Sequence, residues 1–227
     1  MLIIFDLDDT LVDTSGSIIP FRLSACLMEL IRHGLKVDNI EEALECLKQL
    51  DFGAKSSEEA LKEFLEIYEA PAGFFAMGKQ IIYGDRALNE PIRATPFVSE
   101  TLWDLSRKHT LCIVSIGQKT IQMDKLKKAG IDTAFFSRIV VCENLDKKPI
   151  YEAIMADLNA LPHEVVVCGD RVSRDLIPAK QLGCKTIHFR WGRGLNHDGL
   201  KDGIDHVITS LLEIKHILTQ QDQKFIL

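Results

Sequence analysis

Leu2-Ile-Ile-Phe5-Asp6-Leu-Asp8-Asp9-Thr10-Leu-Val12 is the stretch whose reading decides the fold. Leu2 to Phe5 form a short apolar run, the pattern of a strand buried on both faces. The run stops at three carboxylates, Asp6, Asp8 and Asp9, followed by Thr10. Carboxylates are depleted in strands and costly to bury without a partner, so a compensating charge is expected beside them. A solvated Asp-rich turn is one reading. A ligand site is the other, because open α/β sheets bind ligands just beyond the carboxyl ends of their strands. Three acids pressed against a buried strand favour the site.

The bulk properties narrow the class. The chain has 227 residues, 46% of them hydrophobic and 26% charged, with a net charge of −6. These are ordinary values for a folded chain of one large or two small domains. The acidic balance argues against a nucleic-acid surface, and an anionic substrate would need a metal ion or local Lys and Arg to approach. Six cysteines form no Cys-x-x-Cys pair, and four lie in or beside apolar strand-like runs. They read as buried free thiols in a reducing compartment. The first apolar run is too short for a signal peptide, and no stretch approaches a membrane span. A cytoplasmic protein with no membrane or nucleic-acid partner is expected.

Outward from the first strand, Thr14 to Ser17 is polar and reads as a hinge loop. Between residues 15 and 95 the apolar residues recur only at helical spacing, as in Leu23, Leu27, Leu30 and Ile31, or Leu61, Phe64, Leu65 and Tyr68. Ser56 and Glu59 precede the latter helix at capping-box spacing. Beyond Pro96 helices alternate with strands at Thr110–Ser115, Arg138–Cys142, Glu164–Asp170 and Lys185–Arg190. A short sixth strand near His206 and a terminal helix from Ser210 to Leu218 complete the pattern. The expected fold is α/β: a Rossmann-like parallel sheet core over 1–14 and 96–227, with an all-helical cap domain inserted at 15–95.

Three later strands also end in residues suited to phosphate chemistry. Ser115-Ile116-Gly117 opens a helix at Gln118, giving either an anion site or simply an N-cap serine. Asp146-Lys147-Lys148-Pro149 is either a solvated lysine pair before a helix or a source of positive charge. Gly169-Asp170 to Asp175 places two carboxylates five residues apart behind an apolar strand.

Taken in order, these stretches resemble the four motifs of the haloacid dehalogenase-like hydrolase superfamily. Asp6-x-Asp8-x-Thr10 is similar to the first motif, Ser115 to the second, Lys148-Pro149 to the third and Gly169-Asp170 to Asp175 to the fourth. The resemblance implies that Asp6 is the nucleophile, Asp8 the proton donor and base, and Ser115 and Lys148 phosphate-holding catalytic groups. Thr10 and the Ile116 backbone would also bind phosphate, and Lys147 is the near rival of Lys148. Mg²⁺ would be held by Asp6, the backbone carbonyl of Asp8, and Asp170, with Asp175 as a close partner that orients the lysine. Many relatives have Asn where Ile116 stands, so no side-chain contact is expected there. Asp8, crowded by other acids, is expected to favour its protonated form; its presence also sets this chain apart from the dehalogenase and phosphonate-cleaving branches. The run Gln122-Met-Asp-Lys125-Leu is similar to the nucleotidase and acylneuraminate-phosphate phosphatase subgroup. The implied activity is Mg²⁺-dependent hydrolysis of a small phosphorylated metabolite through an aspartyl-phosphate. A sugar phosphomutase and a non-catalytic phospho-ligand binder are the alternatives.

Overall fold

The computed structural model describes residues 1–84, 91–143, 145–196 and 203–222. Six strands form one parallel sheet: β1 (Leu2–Phe5), β2 (Thr110–Ile116), β3 (Phe136–Cys142), β4 (Val165–Gly169), β5 (Lys185–Phe189) and β6 (His206–Ile208). Their order is β3-β2-β1-β4-β5-β6, so the chain order reverses on either side of β1. In a doubly wound sheet the crevice at that reversal is where ligands bind. Asp6 follows β1 and Asp170 follows β4, its neighbour, so the topology alone brings these two acids to the crevice.

β1 and β4 are buried at every position, as expected of central strands covered on both faces. On one side of the sheet Leu2, Ile4, Val165 and Val167 pack with Tyr151, Ile154 and Met155. Each such buried side chain contributes roughly 1.5–3 kcal/mol by leaving water. The register of the crevice is therefore fixed by the core beneath it.

The chain divides into two compact units, Met1–Asp13 with Ile92–Leu227, and Thr14–Pro91. The return to the first unit comes at Ile92 rather than at residue 96. Backbone bonds explain the shift: Asp13 N–H donates to Arg93 (2.9 Å) and Thr95 N–H to Leu11 (3.0 Å), while Val12 bridges Ala94. Thr14 to Ser17, expected as a loop, is a single helical turn, α1 (Thr14–Ser17). The rest of the second unit is helical: α2 (Ile19–Arg32), α3 (Ile40–Gly53), α4 (Ser57–Ile67) and α5 (Phe74–Tyr83). Its own apolar cluster includes Leu23, Leu27, Leu61 and Phe64. Ser56 caps α4 by accepting from Glu59 N–H, but Glu59 reaches back to the N–H of Lys55 rather than of Ser56.

The first unit adds α6 (Val98–Ser106), α7 (Lys119–Lys128), α8 (Lys148–Asp157), α9 (Ile177–Gln181) and α10 (Glu213–Asp222). Val172 to Leu176 form one wide π-type turn, a distortion often found at functional sites. None of the six cysteines is joined in a disulfide. Among the described residues no helix is long and apolar enough to cross a membrane.

Candidate active site

After Phe5 the chain folds into a tight loop. Leu7 C=O accepts from the N–H groups of Leu11 and Val12, both at 2.9 Å, and Asp9 takes the left-handed conformation (φ 55°). The loop leaves Asp6 buried at the strand end and Asp8 partly open, with 28% of its side chain exposed. Asp6 N–H donates to Cys168 C=O (2.9 Å), tying the acid to the neighbouring strand.

Among the described residues the lysine that reaches Asp6 is Lys147. Its Nζ donates to Asp6 Oδ1 and Asp175 Oδ1, both at 2.6 Å, and the residue is 1% exposed. The expectation for Lys148 is thereby corrected. Lys148 is half-buried, and its backbone N–H takes Asp146 Oδ1 at 3.0 Å. The cause is helical phase: Lys147 stands four residues before Tyr151 and seven before Ile154, both on the buried face of α8. Lys148 is turned about 100° away. Burial alone would favour a neutral Lys147, but Asp175 and Asp6 outweigh it and hold the ammonium well above its ordinary pKa.

The acids outnumber their cations. Carboxylate oxygens of Asp6, Asp170 and Asp175 lie within 4.8 Å of one another, all buried. Asp175 is fully engaged, its Oδ2 accepting from Arg171 N–H at 3.0 Å. Gly169 permits this fold-back, because a Cβ there would stand 2.6 Å from Asp175 Oδ2. Asp170 is different. Among the described residues neither of its oxygens has a hydrogen-bond partner, and the Arg171 guanidinium stands off at 3.9 Å. Burial, then the charges of Asp175, Asp9 and Asp6, raise the Asp170 carboxyl well above the ordinary range. Burial likewise pushes Asp6 up to about 7, against the pull of Lys147. A buried carboxylate with both oxygens unsatisfied is costly unless a cation completes it, and hard oxygen donors suit Mg²⁺.

The remaining expected residues are placed as follows. Ser115 Oγ accepts from Gln122 Nε2 at 2.8 Å and does not cap α7, whose N-cap is Gln118. Ile116 offers its carbonyl to the same Gln122, while Gly117 N–H is spent on Cys142 C=O (2.8 Å) and is closed to an anion. Thr10 is wholly buried, and its hydroxyl has no hydrogen-bond partner among the described residues. The Asp8 side chain lies outside the acidic cluster. Its Oδ1 accepts from Lys125 Nζ (2.6 Å) and its Oδ2 from Gln122 Nε2 (2.8 Å). Both contacting atoms, Lys125 Nζ and Gln122 Nε2, are donors.

In sequence the segment after β5 reads as a loop with incidental arginines, with positive charge near the site as the other reading. A Cβ at Gly192 would lie 2.5 Å from Asp9 Cγ, and one at Gly194 would lie 3.0 Å from Asp170 O. The Gly-x-Gly spacing in Arg190-Trp191-Gly192-Arg193-Gly194 was the available signal: the segment packs directly on the acids. His188 Nε2 donates to Asp170 C=O (3.0 Å), fixing that turn from beneath.

An open parallel sheet with a carboxylate at the end of β1, a buried lysine on it and a cation-hungry acid at the next strand end defines a phosphotransfer-type α/β enzyme. The profile of the haloacid dehalogenase-like hydrolases matches residues 3–189, and the chain belongs to that family. The chain is 30% identical to glyceraldehyde 3-phosphate phosphatase of Pyrococcus furiosus, over 97% of this chain and 94% of the relative. The enzyme of the same name from Methanocaldococcus jannaschii is 29% identical over 95% and 96% of the two chains. Among solved structures, a haloacid dehalogenase-like hydrolase from Xanthomonas campestris superposes with a TM-score of 0.67 at 18% identity, covering 99% of this chain and 96% of the other. The protein is a phosphoric monoester hydrolase of this family.

Proposed function

We propose that this phosphatase hydrolyses a short phosphorylated aldehyde or sugar, with glyceraldehyde 3-phosphate as the first candidate, using Asp6 as nucleophile and Mg²⁺ as cofactor. The substrate rests on the relatives' shared name. The cofactor and the residue roles rest on one observation above all: a buried Asp170 carboxylate, beside Asp6, with no hydrogen-bond partner on either oxygen among the described residues. Asp6 and Asp170 would hold the ion, with the Asp8 carbonyl as the further expected oxygen. Bound there, Mg²⁺ would neutralise phosphate charge and the mutual repulsion of the acids.

The chain's own groups then account for the chemistry. An Asp6 oxygen attacks phosphorus, the bond from phosphorus to the leaving oxygen breaks, and a proton on Asp8 passes to that oxygen. Water next attacks the phosphorus of the aspartyl-phosphate and gives a proton to Asp8. The Asp6–phosphorus bond breaks, releasing inorganic phosphate. Lys147 holds the nucleophile in place and offsets charge throughout. Asp175 keeps Lys147 turned to Asp6, and Ser115, Thr10 and the Ile116 backbone border the phosphate. Phosphate release from a panel of triose and sugar phosphates tests the proposal. Turnover with Mg²⁺, lost in EDTA, is expected; undiminished turnover in EDTA, or a requirement for a sugar bisphosphate, contradicts it.

A further inference from the structure

The helix that leaves β2 carries two residues that the mechanism above does not use. α7 is polar over nearly its whole length, Lys119-Thr-Ile-Gln-Met-Asp-Lys-Leu-Lys-Lys128, yet Gln122 is 2% and Lys125 8% exposed. They lie three residues apart, on one face of the helix. An amide and an ammonium are costly to bury without partners, and both converge on Asp8. Lys125 Nζ donates to Oδ1 at 2.6 Å, and Gln122 Nε2 to Oδ2 at 2.8 Å.

The Gln122 orientation is dictated by its surroundings. Its NH₂ faces Asp8 Oδ2, Ser115 Oγ (2.8 Å) and Ile116 O (2.9 Å). Reversing the amide would aim its oxygen at a carboxylate and a carbonyl. As placed, Oε1 is buried with no partner among the described residues, a standing cost that packing alone would not select. Gly117, at φ 141°, lets the backbone turn beneath this amide, where a Cβ would stand 3.3 Å from Nε2.

We infer that Gln122 and Lys125 are positioning residues that fix the plane and direction of the Asp8 carboxyl for proton transfer, with Gln122 coupling it to Ser115 on the phosphate side. The inference rests on the reading of Asp8 as acid and base. Each Asp8 oxygen has two lone pairs and gives one to α7. A carboxyl that swings freely loses the near-attack geometry on which the transfer depends, and a misplacement of about 1 Å can cost about 10² in rate.

The test uses two substrates. p-Nitrophenyl phosphate has a leaving group that needs no proton, whereas the alkoxide of glyceraldehyde 3-phosphate does. Gln122→Leu and Lys125→Met keep bulk and remove the donors. Steady-state turnover of both variants should fall about 10- to 100-fold on either substrate. Rapid mixing with p-nitrophenyl phosphate should still give a burst of one equivalent of nitrophenol at near wild-type rate, while glyceraldehyde 3-phosphate gives no burst. Lys125→Arg should recover part of the turnover, and Lys127→Ala, exposed on the same helix, should match wild type. Equal slowing of burst and turnover would make the role merely structural, and wild-type turnover in Gln122→Leu and Lys125→Met would remove it. Asp8→Asn separates the two levels: if it turns over normally, the reading of Asp8 itself fails. If Asp8→Asn is dead after a normal burst while the α7 variants are unaffected, only the present inference fails.

Discussion

Lys147→Met should cost this enzyme nearly all its turnover, and Lys148→Met almost none. Lys147 lies 1% exposed, with two charge-assisted bonds of 2.6 Å to Asp6 and Asp175. Methionine fills the same volume and supplies neither bond. Removing a preorganised group of this kind typically lowers kcat by ~10²–10³, about 3–4 kcal/mol. Stability should respond too, because one partner of a buried ionic network is worth roughly 3–5 kcal/mol when removed alone. Asp6 and Asp175 would then face each other without a cation between them. Lys148 is half-buried, and among the described residues its backbone N–H to Asp146 is its one side-chain-mediated bond; a solvent-reaching charge contributes at most about 1 kcal/mol. Its replacement should leave kcat within about fivefold of wild type. The assay is initial-rate phosphate release at saturating substrate, with thermal melts in the same buffer to count the folded fraction. A Lys147→Met protein that melts normally and keeps kcat within a few-fold, or a large loss in Lys148→Met, refutes the reasoning.

Other consequences follow from particular contacts. Asp170→Asn removes a buried charge that has no hydrogen-bond partner among the described residues and only the Arg171 guanidinium at 3.9 Å, so the metal-free protein should melt higher than wild type while losing any Mg²⁺-induced rise in Tm; a lower melting point without metal contradicts this. Gly169→Ala puts a Cβ against the Asp175 carboxylate and should lower both activity and stability, the latter by about 1–3 kcal/mol as overpacking does; wild-type behaviour in both would show that Asp175 has room to move. Away from the site, burial pushes the Asp205 carboxyl up, but hydrogen bonds from Lys180 and Thr186 outweigh it and hold it below its usual value. Its stabilising effect is therefore present above about pH 3.9 and lost as pH falls through the lower, folded value. Melting curves of wild type and Asp205→Asn should differ at pH 6 and converge in acid, and a gap that widens below pH 4 reverses the sign.

Much of the fold was legible because the apolar runs are unambiguous. Leu2 to Phe5 and Val165 to Cys168 are buried in a central pair, and no charged residue interrupts them. The acids at their ends were legible for the same reason, since a charge at the edge of such a run demands a partner. The lysine register was not, because Pro149 was used as the anchor. Proline marks where a helix starts and says nothing of which face is buried. Counting back from Ile154 at helical spacing would have reached Lys147. The run Gln122 to Lys125 stood out only as a family likeness, and its contacts were hidden by distance, because both side chains pair with a group more than a hundred residues earlier in the chain. The turn at Thr14 to Ser17 is too short to show a period.

The central claim is that Asp6 carries the phosphoryl group. Borohydride added to the enzyme during turnover reduces an acyl phosphate to the alcohol and would convert that aspartate to homoserine. Peptide mass analysis of the N-terminal fragment should show this conversion at Asp6, only with substrate and Mg²⁺ present, and never in Asp6→Asn. An unmodified Asp6 under conditions of steady turnover, or the mark on Asp8 or Asp170 instead, would contradict the account.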